Sequence, residues 1–444
     1  MYTRFATQLA HLLNELPDCQ GLAVALSGGL DSMVLLELAQ RYAKDKGMPL
    51  CAIHIHHGLS ANAEHWLAFS AEQCRMRGIA FYNERVTLSD KTRLGIEAKA
   101  RQARYQAMDM ALPAGYALLL GQHSDDQVET FFLRLKRGAG LKGLGGMQAL
   151  SYWQQRPLLR PLLGISRKQL QHYVESHGLE HIHDESNDDS RFDRNFLRNQ
   201  VLPLLNKRFP GFSAKVAQTT ELLQQQQHLL DEIAAQDLTQ LAVNPQQLSL
   251  APLMALGAAR ANNVLRYWLQ SHDVAMPSQL QLQSLCEQLL SARADSQPSL
   301  SLRTHSGAEV SVRRFNEQLY LVENQVELLA QQLSCPGAHT LKDARVLTCE
   351  PGQGVRAPNA DEQVWVRFGV LNARIRPQHK PYGNKLSHWL KELKVPPWER
   401  QRIPLIFYGD TLVAVVGYFY NYDFLAQQGL QWQLKPTLPQ SPLM

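Results

Sequence analysis

Along the first half of the chain, short apolar runs alternate with longer stretches in which apolar positions return every three or four residues. Gly21 to Leu26, Pro49 to Ile55, Ile79 to Val86 and Tyr116 to Gly121 read as strands, the first of them buried through Ala23 to Leu26. Met33, Val34, Leu35, Leu36 and Leu38, after the first run, have the spacing of a helix packed on a sheet. Such alternation implies an α/β fold, a parallel sheet with crossover helices. From about Ser213 the texture changes. AKVAQTTELLQQQQHLLDEIAAQ opens a helical pattern that continues through Leu290, with Gln224 to Gln227 expected on an exposed helix face. SLSLRTHSGAEVSVRRFNEQLYLV alternates as strands do, and PGAHTLKDARVLTCEPGQGVRAPNADEQ, rich in Gly and Pro, reads as linker and irregular strands. The expected domains are therefore residues 1–214, α/β; 215–345, mainly helical; and 346–444, small, basic and α+β.

Length and charge sharpen this division. A chain of 444 residues suits two or three domains with ample cores. A net charge of +5 is mild, so any nucleic-acid surface has to be a local patch. One such patch follows Val364: Arg367, Arg374, Arg376, Lys380, Lys385, Lys391, Lys394, Arg400 and Arg402 crowd a span with only Glu392 and Glu399 against them. Trp389 and Trp398 would offer stacking faces there. The cysteines, Cys19, Cys51, Cys74, Cys286, Cys335 and Cys349, form no C-x-x-C pair, which argues for reduced thiols and against a disulfide frame or a zinc site. MYTRFATQLAHLL lacks the pattern of a secretory signal, and no apolar run reaches the roughly 20 residues of a membrane span. A soluble, cytoplasmic protein is expected.

The chemistry concentrates where apolar runs stop. After the first strand comes SGGLDS, Ser27 to Ser32, at a strand-to-helix turn. Gly28 and Gly29 allow close approach of a phosphate, Ser27 and Ser32 can donate to it, and the following helix opens with unpaired N–H groups. Asp31 adds a carboxylate able to hold Mg²⁺ against phosphate oxygens. The spacing is neither that of a Walker A loop nor G-x-G-x-x-G. HIHHGLS, from His54, follows the second strand, and GQHSDDQVET, from Gly121, follows the fourth. In the latter, Ser124 and Gln127 have capping-box spacing, which puts Asp125 and Asp126 in a first helical turn beside His123. GIEAKARQARY offers Arg101 and Arg104 to an anionic substrate, although Glu97 and Arg101 also suit a surface ion pair. LKRGAGLKGLGGM, Leu135 to Met147, is a connector or a lid. In DESNDDSRFDRNFLRNQVLP, Arg191, Arg194, Asn195 and Arg198 sit at a helix start, either solvated or touching phosphate and ribose.

Taken together these blocks resemble the N-type ATP pyrophosphatases that carry a PP-loop, and within them the tRNA(Ile)-lysidine synthetase family. SGGLDS matches the PP-loop signature; HIHHGLS, GIEAKARQARY, HSDDQVET, RGAGLKGLGGM, RPLL at Arg160 to Leu163 and DRNFLRNQVLP follow in the family's order. The segment from Arg367 to Tyr418 resembles the family's C-terminal domain. His56 stands where many members carry an acid and Gln122 where many carry a histidine, so only His123, Asp125 and Asp126 are carried over from that block.

The resemblance implies an adenine nucleotide alpha hydrolase-like first domain and a second and third domain that contact tRNA. It implies a ligase acting on the wobble cytidine of tRNA(Ile) with a CAU anticodon: ATP adenylates the base, pyrophosphate leaves, and free L-lysine then displaces AMP. ATP would sit on Ser27, Gly28, Gly29, Leu30, Asp31 and Ser32, with Mg²⁺ on Asp31. Asp31, Asp125, Asp126, His123 and Arg104 would serve catalysis. Arg101, Arg104, Arg194, Asn195, Arg198, Arg374, Arg376 and Lys385 would bind the tRNA. A homodimer is compatible with this reading. A PP-loop tRNA thiolase and a tRNA-binding protein that has lost catalysis are the alternatives; paired cysteines are lacking for the first, and Asp31 with Asp125 and Asp126 argues against the second.

Overall fold

The structure is a computed structural model. It describes residues 1–435 apart from 57, 59–61, 87–95, 186–188, 278–280, 283–297 and 324–325, and for 96–100 the backbone alone. His57, Leu59, Ser60, Gly95, the Glu97 side chain, Cys286 and the helical pattern beyond Leu282 therefore lie outside the described residues. The chain divides into two compact units, Met1–Leu230 and Asp231–Met444.

In the first unit, α1 (Tyr2–Asn14), β1 (Gly21–Ala25), α2 (Leu30–Lys46), β2 (Leu50–His56), α3 (Ala63–Met76), β3 (Ala80–Arg85), α4 (Ile96–Ala111) and β4 (Tyr116–Leu119) alternate as the apolar runs predict. Then follow α5 (Ser124–Lys136), α6 (Leu141–Leu144), β5 (Leu150–Trp153), β6 (Arg156–Leu159), α7 (Arg167–His177), α8 (Asp193–Phe196), a π-helical turn at Leu197–Val201, α9 (Leu202–Arg208) and α10 (Phe212–Leu241), which runs on past Leu230 into the second unit. The sheet runs β3-β2-β1-β4-β6-β5, parallel except for the hairpin strand β5. One face buries Leu9, Met33, Leu36, Leu170 and Val174 from α1, α2 and α7; the other buries Tyr105 and Met108 from α4 and Leu112 just past its end. Each fully buried side chain of this kind contributes about 1.5 to 3 kcal/mol.

Strand order fixes the place of the chemistry. From β1 the chain winds outward to β2 and β3, then returns to place β4 on the other side of β1, paired Gly21 to Tyr116 and Val24 to Leu119. The turns after β1 and β4 therefore open side by side at the switch point of the sheet, where an open α/β fold leaves a crevice. Gly121 lies close against the start of α2, where a Cβ would come to 3.4 Å from the Asp31 backbone.

The second unit holds β7 (Ala242–Asn244), β8 (Gln247–Ser249), α11 (Leu250–Ala255), α12 (Ala258–Ser271), β9 (Ser299–Arg303), β10 (Glu309–Phe315) and β11 (Gln318–Glu323). Their sheet, in order β7-β8-β11-β10-β9, packs on Val264, Leu265, Trp268 and Leu269 of α12. The helical stretch thus shares its core with the alternating segment read as strands. Next come β12 (Gln331–Gln332), β13 (Gly337–Thr340), β14 (Val346–Val355), β15 (Val364–Arg367), β16 (Arg374–Ile375), β17 (Asn384–Lys385), α13 (Leu386–Glu392), α14 (Pro397–Arg400), β18 (Leu405–Tyr408), β19 (Thr411–Val415), β20 (Phe419–Tyr420) and β21 (Leu425–Lys435). They form the sheets β12-β15-β18-β19-β20 and β13-β14-β21 and the hairpin β16-β17, all antiparallel.

Neither tryptophan of the basic segment is a free stacking face. Trp389 is 2% exposed in the core with Ile375 and Phe407, and its indole N–H donates to the Ile375 carbonyl at 3.1 Å. Trp398 packs edge-on against Phe315 and Tyr320 beneath the Arg313 guanidinium. Helical spacing puts Trp389 three residues from Leu386, on the buried face of α13. No described helix is long and apolar enough to cross a membrane.

Candidate active site

The turn after β1 is tied by its own hydroxyls. The Ser27 N–H donates to Ser32 Oγ at 3.2 Å, the Ser32 hydroxyl donates to the Gly29 carbonyl at 2.9 Å, and the two hydroxyls lie 3.1 Å apart. Gly28 has φ +82°, and a Cβ there would meet Ile182 Cδ1 at 2.8 Å, so the turn requires glycine. The Ile182 N–H donates to the Gly28 carbonyl at 2.9 Å, which anchors the turn from the far side. Gly29 caps α2, whose first N–H groups, among them those of Leu30 and Asp31, have no intrahelical acceptor. A small cradle with a positive helix end results, suited to phosphate.

Beside it, α5 is capped one residue earlier than the Ser124 and Gln127 spacing implies. His123 is the N-cap, and its N–H donates to Asp126 Oδ2 at 3.0 Å. Gln127 is used elsewhere: its amide exchanges two 2.6 Å hydrogen bonds with the backbone of Met147. Gln224 donates to the Met147 carbonyl at 2.9 Å, and Arg134 donates to the carbonyls of Gly143 and Gly146, each at 2.7 Å. The glycine-rich segment is therefore a strapped connector, and Gln224 is part of the strap rather than an idle surface residue.

Three helix starts meet at the crevice. The Arg167 N–H donates to Asp125 Oδ2 at 2.9 Å and its guanidinium to Asp31 Oδ2 at 2.8 Å. His123 is fully buried, with Nε2 3.7 Å from Asp31 Oδ1 and 3.5 Å from Asp126 Oδ2, and Nδ1 3.7 Å from Asp125 Oδ2. These distances bring charges together without direct hydrogen bonds. Among the described residues, Asp31 Oδ1 and both ring nitrogens of His123 are buried with no hydrogen-bond partner, an unpaired state that costs stability and that a ligand would relieve. Burial would drive the His123 ring toward neutrality, but the carboxylates of Asp31, Asp126 and Asp125 outweigh it and raise its pKa. Burial would raise that of Asp31, but His123, Arg167 and Arg198 outweigh it and lower it.

On α8 and the π-helical turn, Arg194 and Arg198 face inward. Arg198 lies 2.9 Å from Asp126 Oδ1 and 2.6 Å from Glu129 Oε1; Arg194 lies 3.3 Å from Glu129 Oε2 and donates to Thr130 Oγ1 at 3.1 Å. Burial pushes the Glu129 carboxyl up, while Arg198 pulls it back. Asn195 donates to the Asp189 carbonyl at 3.0 Å, and Arg191 pairs with the Asp189 carboxylate. Gln122 accepts from buried Arg160 at 2.5 Å, so this side chain belongs to the frame. Arg104 is exposed on α4, and Arg101 lies over the Tyr105 ring at 5.2 Å. In the second unit Arg374 and Lys385 are exposed register partners in the β16-β17 hairpin, and Arg376 covers Tyr422 at 4.0 Å.

The structure thus gathers Ser27 to Ser32, His123, Asp125, Asp126 and Arg198 at one crevice. Two residues of that crevice went unread in the sequence, Glu129 and Arg167. Glu129 had a signal, since it follows Asp126 by three residues and shares its helix face. Arg167 had none, because only the docking of α7 brings it to Asp31. No described group of three or more His, Cys, Asp or Glu side chains could hold a metal ion alone. The donor set still fits Mg²⁺ arriving with phosphates: Asp31 offers an unpartnered, buried carboxylate oxygen, and Mg²⁺ commonly takes one or two carboxylates with phosphate and water.

Comparison with known proteins shows the family of the chain. The family model described as PP-loop domain matches residues 1–205, the TilS substrate binding domain residues 248–320, and the TilS substrate C-terminal domain residues 364–435. The tRNA(Ile)-lysidine synthase of Shigella flexneri is 41% identical over 443 residues, 96% of this chain and 99% of that one. That of Serratia proteamaculans (strain 568) is 40% identical over 439 residues, 96% and 97% of the two chains. That of Vibrio vulnificus (strain CMCP6) is 39% identical over 416 residues, 91% and 93%.

Proposed function

Because the chain belongs to the tRNA(Ile)-lysidine synthase family, we propose that the crevice between β1 and β4 joins free lysine to the wobble cytidine of tRNA(Ile). The protein is a ligase that uses ATP to form lysidine on tRNA(Ile), and it binds tRNA. The observation that supports this placement is that Asp31 Oδ1 and both ring nitrogens of His123 are buried and unpartnered beside a phosphate cradle.

The nucleotide's phosphates lie on Ser27, Gly28, Gly29, Leu30 and Ser32, with the α2 start offsetting their charge. Asp31 holds Mg²⁺, which when bound lends positive charge to the departing pyrophosphate. His123, buried among the carboxylates of Asp31, Asp125 and Asp126, which raise its pKa, lies beside the phosphate cradle in this scheme. In the first step the cytidine oxygen on carbon 2 attacks the α-phosphorus and pyrophosphate leaves. In the second, the lysine side-chain amine attacks carbon 2 and AMP leaves.

Lysine arrives as an ammonium and has to lose a proton to attack. Asp125 is the acid best placed for it: its side chain is 37% exposed against 14% for Asp126, whose oxygens already serve His123 and Arg198. We therefore assign Asp125 to lysine and proton, with Asp126 and Glu129 orienting Arg198. Arg101 and Arg104 are assigned to the anticodon phosphates, and Arg374, Arg376 and Lys385 to the tRNA as well. All the reacting groups come from residues 27–198 of one chain, so the scheme needs no second copy. ATP, tRNA and free lysine meet in the cytoplasm, where we place the reaction.

Thiolation finds no support, since none of the described cysteines, Cys19, Cys51, Cys74, Cys335 and Cys349, belongs to the crevice. Pyrophosphate release tests the scheme: with ATP and tRNA(Ile) but no lysine a single burst is expected, and with lysine continuous turnover. Turnover that ignores lysine would overturn it.

A further inference from the structure

Arg167 stands in an unusual place for an arginine. It is the first residue of α7, where the helix dipole disfavours a cation, and Ser166 and Gln169 already cap that helix. Its backbone is bolted down through Asp125, and Ser124 N–H donates to the Ile165 carbonyl at 3.0 Å. Its side chain is free to move by comparison, 41% exposed, with the guanidinium on Asp31 Oδ2. The other Asp31 oxygen, Oδ1, is buried and unpartnered.

The surrounding charges explain the pairing. Asp31, Asp125, Asp126 and Glu129 face His123, Arg167, Arg194 and Arg198, so the crevice without ligand is neutral only when His123 holds a proton. A divalent cation on Asp31 places two positive charges beside the Arg167 guanidinium. The same event brings polyphosphate oxygens, which a planar guanidinium binds in bidentate fashion.

We propose that Arg167 is a metal-displaced phosphate ligand. It neutralises Asp31 in the free protein, and when Mg²⁺ arrives with ATP it leaves the carboxylate for the phosphate oxygens that depart as pyrophosphate. This rests on the reading of Asp31 as the metal-holding acid and is independent of what happens to tRNA and lysine. Arg167 thereby keeps the site from taking a bare cation and makes metal and polyphosphate bind together.

The test uses the full chain with Mn²⁺ as metal and inorganic pyrophosphate as probe, followed by electron paramagnetic resonance and calorimetry without tRNA or lysine. Arg167→Gln removes the competitor and the ligand at once. Mn²⁺ alone then binds tighter, roughly tenfold or more, while pyrophosphate with Mn²⁺ binds roughly ten- to a hundredfold more weakly, the range for a charge-assisted contact. Arg167→Lys keeps the charge but not the fork, so Mn²⁺ affinity stays near the original and pyrophosphate is still weakened. Unchanged Mn²⁺ affinity in Arg167→Gln, or weakening of Mn²⁺ and pyrophosphate alike, overturns the proposal, as does full pyrophosphate affinity in Arg167→Lys. Lysidine formation measured separately on tRNA(Ile) tells failure of the enzymatic reading from failure of this one.

Discussion

The guanidinium of Arg198 closes on the buried carboxylate of Glu129, with Nε at 2.6 Å from Oε1 and a terminal nitrogen at 3.0 Å from Oε2. Glu129 has none of its surface exposed, so its charge is tolerable only because Arg198 and Arg194 answer it. Glu129→Ala leaves Arg198 on Asp126 and Arg194 on Thr130, both partly exposed, and is expected to destabilise the first unit by about 1 to 3 kcal/mol. Thermal unfolding with hydrogen exchange on β1 and β4 reads this, and unaltered protection would show that Arg198 finds another partner.

Asp125 and Asp126 separate by their partners. Asp125→Asn should raise the lysine requirement roughly ten- to a hundredfold with little effect on that for ATP, the value of a charge-assisted contact. Asp126→Asn should impair both steps, since it loosens the cap of α5 and frees Arg198. Steady-state kinetics in each substrate checks this; equal effects of Asp125→Asn on lysine and ATP would remove Asp125 from lysine recognition.

Trp389→Ala should cost about 3 to 5 kcal/mol of stability in the second unit, because it empties a core site and orphans the Ile375 carbonyl. A stacking role would instead weaken tRNA binding and spare stability, and denaturant unfolding beside a tRNA titration distinguishes the two.

The contrast shows what the sequence could carry. Strands β1, β2 and β4 were legible because buried parallel strands are continuous apolar runs, as in Ala23 to Leu26, and the phosphate turn because Ser27 to Ser32 keeps its chemistry within six consecutive residues; β3, Ala80–Arg85, is a largely exposed edge strand. Trp389 was misread because a basic neighbourhood says nothing about which helix face is buried. Arg167 was invisible because its partner, Asp31, is brought to it by the docking of α7 on α2, a tertiary event with no local signature. Glu129 lay within reach, but identifying it needed the helix phase that the true N-cap at His123 sets.

Glu362 supplies a pH dependence in the second unit. Its carboxylate takes both ends of the Arg356 guanidinium, each at 2.6 Å, and the Asn359 N–H at 2.7 Å. Arg356 first and Asn359 second pull its pKa from an ordinary 4.5 down to about 2. A carboxyl depressed in the folded state stabilises above its unfolded value and loses that contribution as pH falls through the folded one. Stability should therefore decline between pH 4.5 and about 2, and Glu362→Gln should flatten that decline at low salt. The difference should shrink in high salt, because the pair is partly exposed; an identical acid limb in the variant would contradict the assignment.

The most direct test of the central claim is mass analysis of the nucleosides of tRNA(Ile) carrying a CAU anticodon, after incubation with the full chain, ATP, Mg²⁺ and lysine. The account predicts one cytidine heavier by a lysine less a water, formed in step with AMP and pyrophosphate, and absent when lysine, ATP or the Asp31 carboxylate is removed as in Asp31→Asn. ATP breakdown with no lysine on the wobble cytidine, or full lysidine formation by Asp31→Asn, would contradict it.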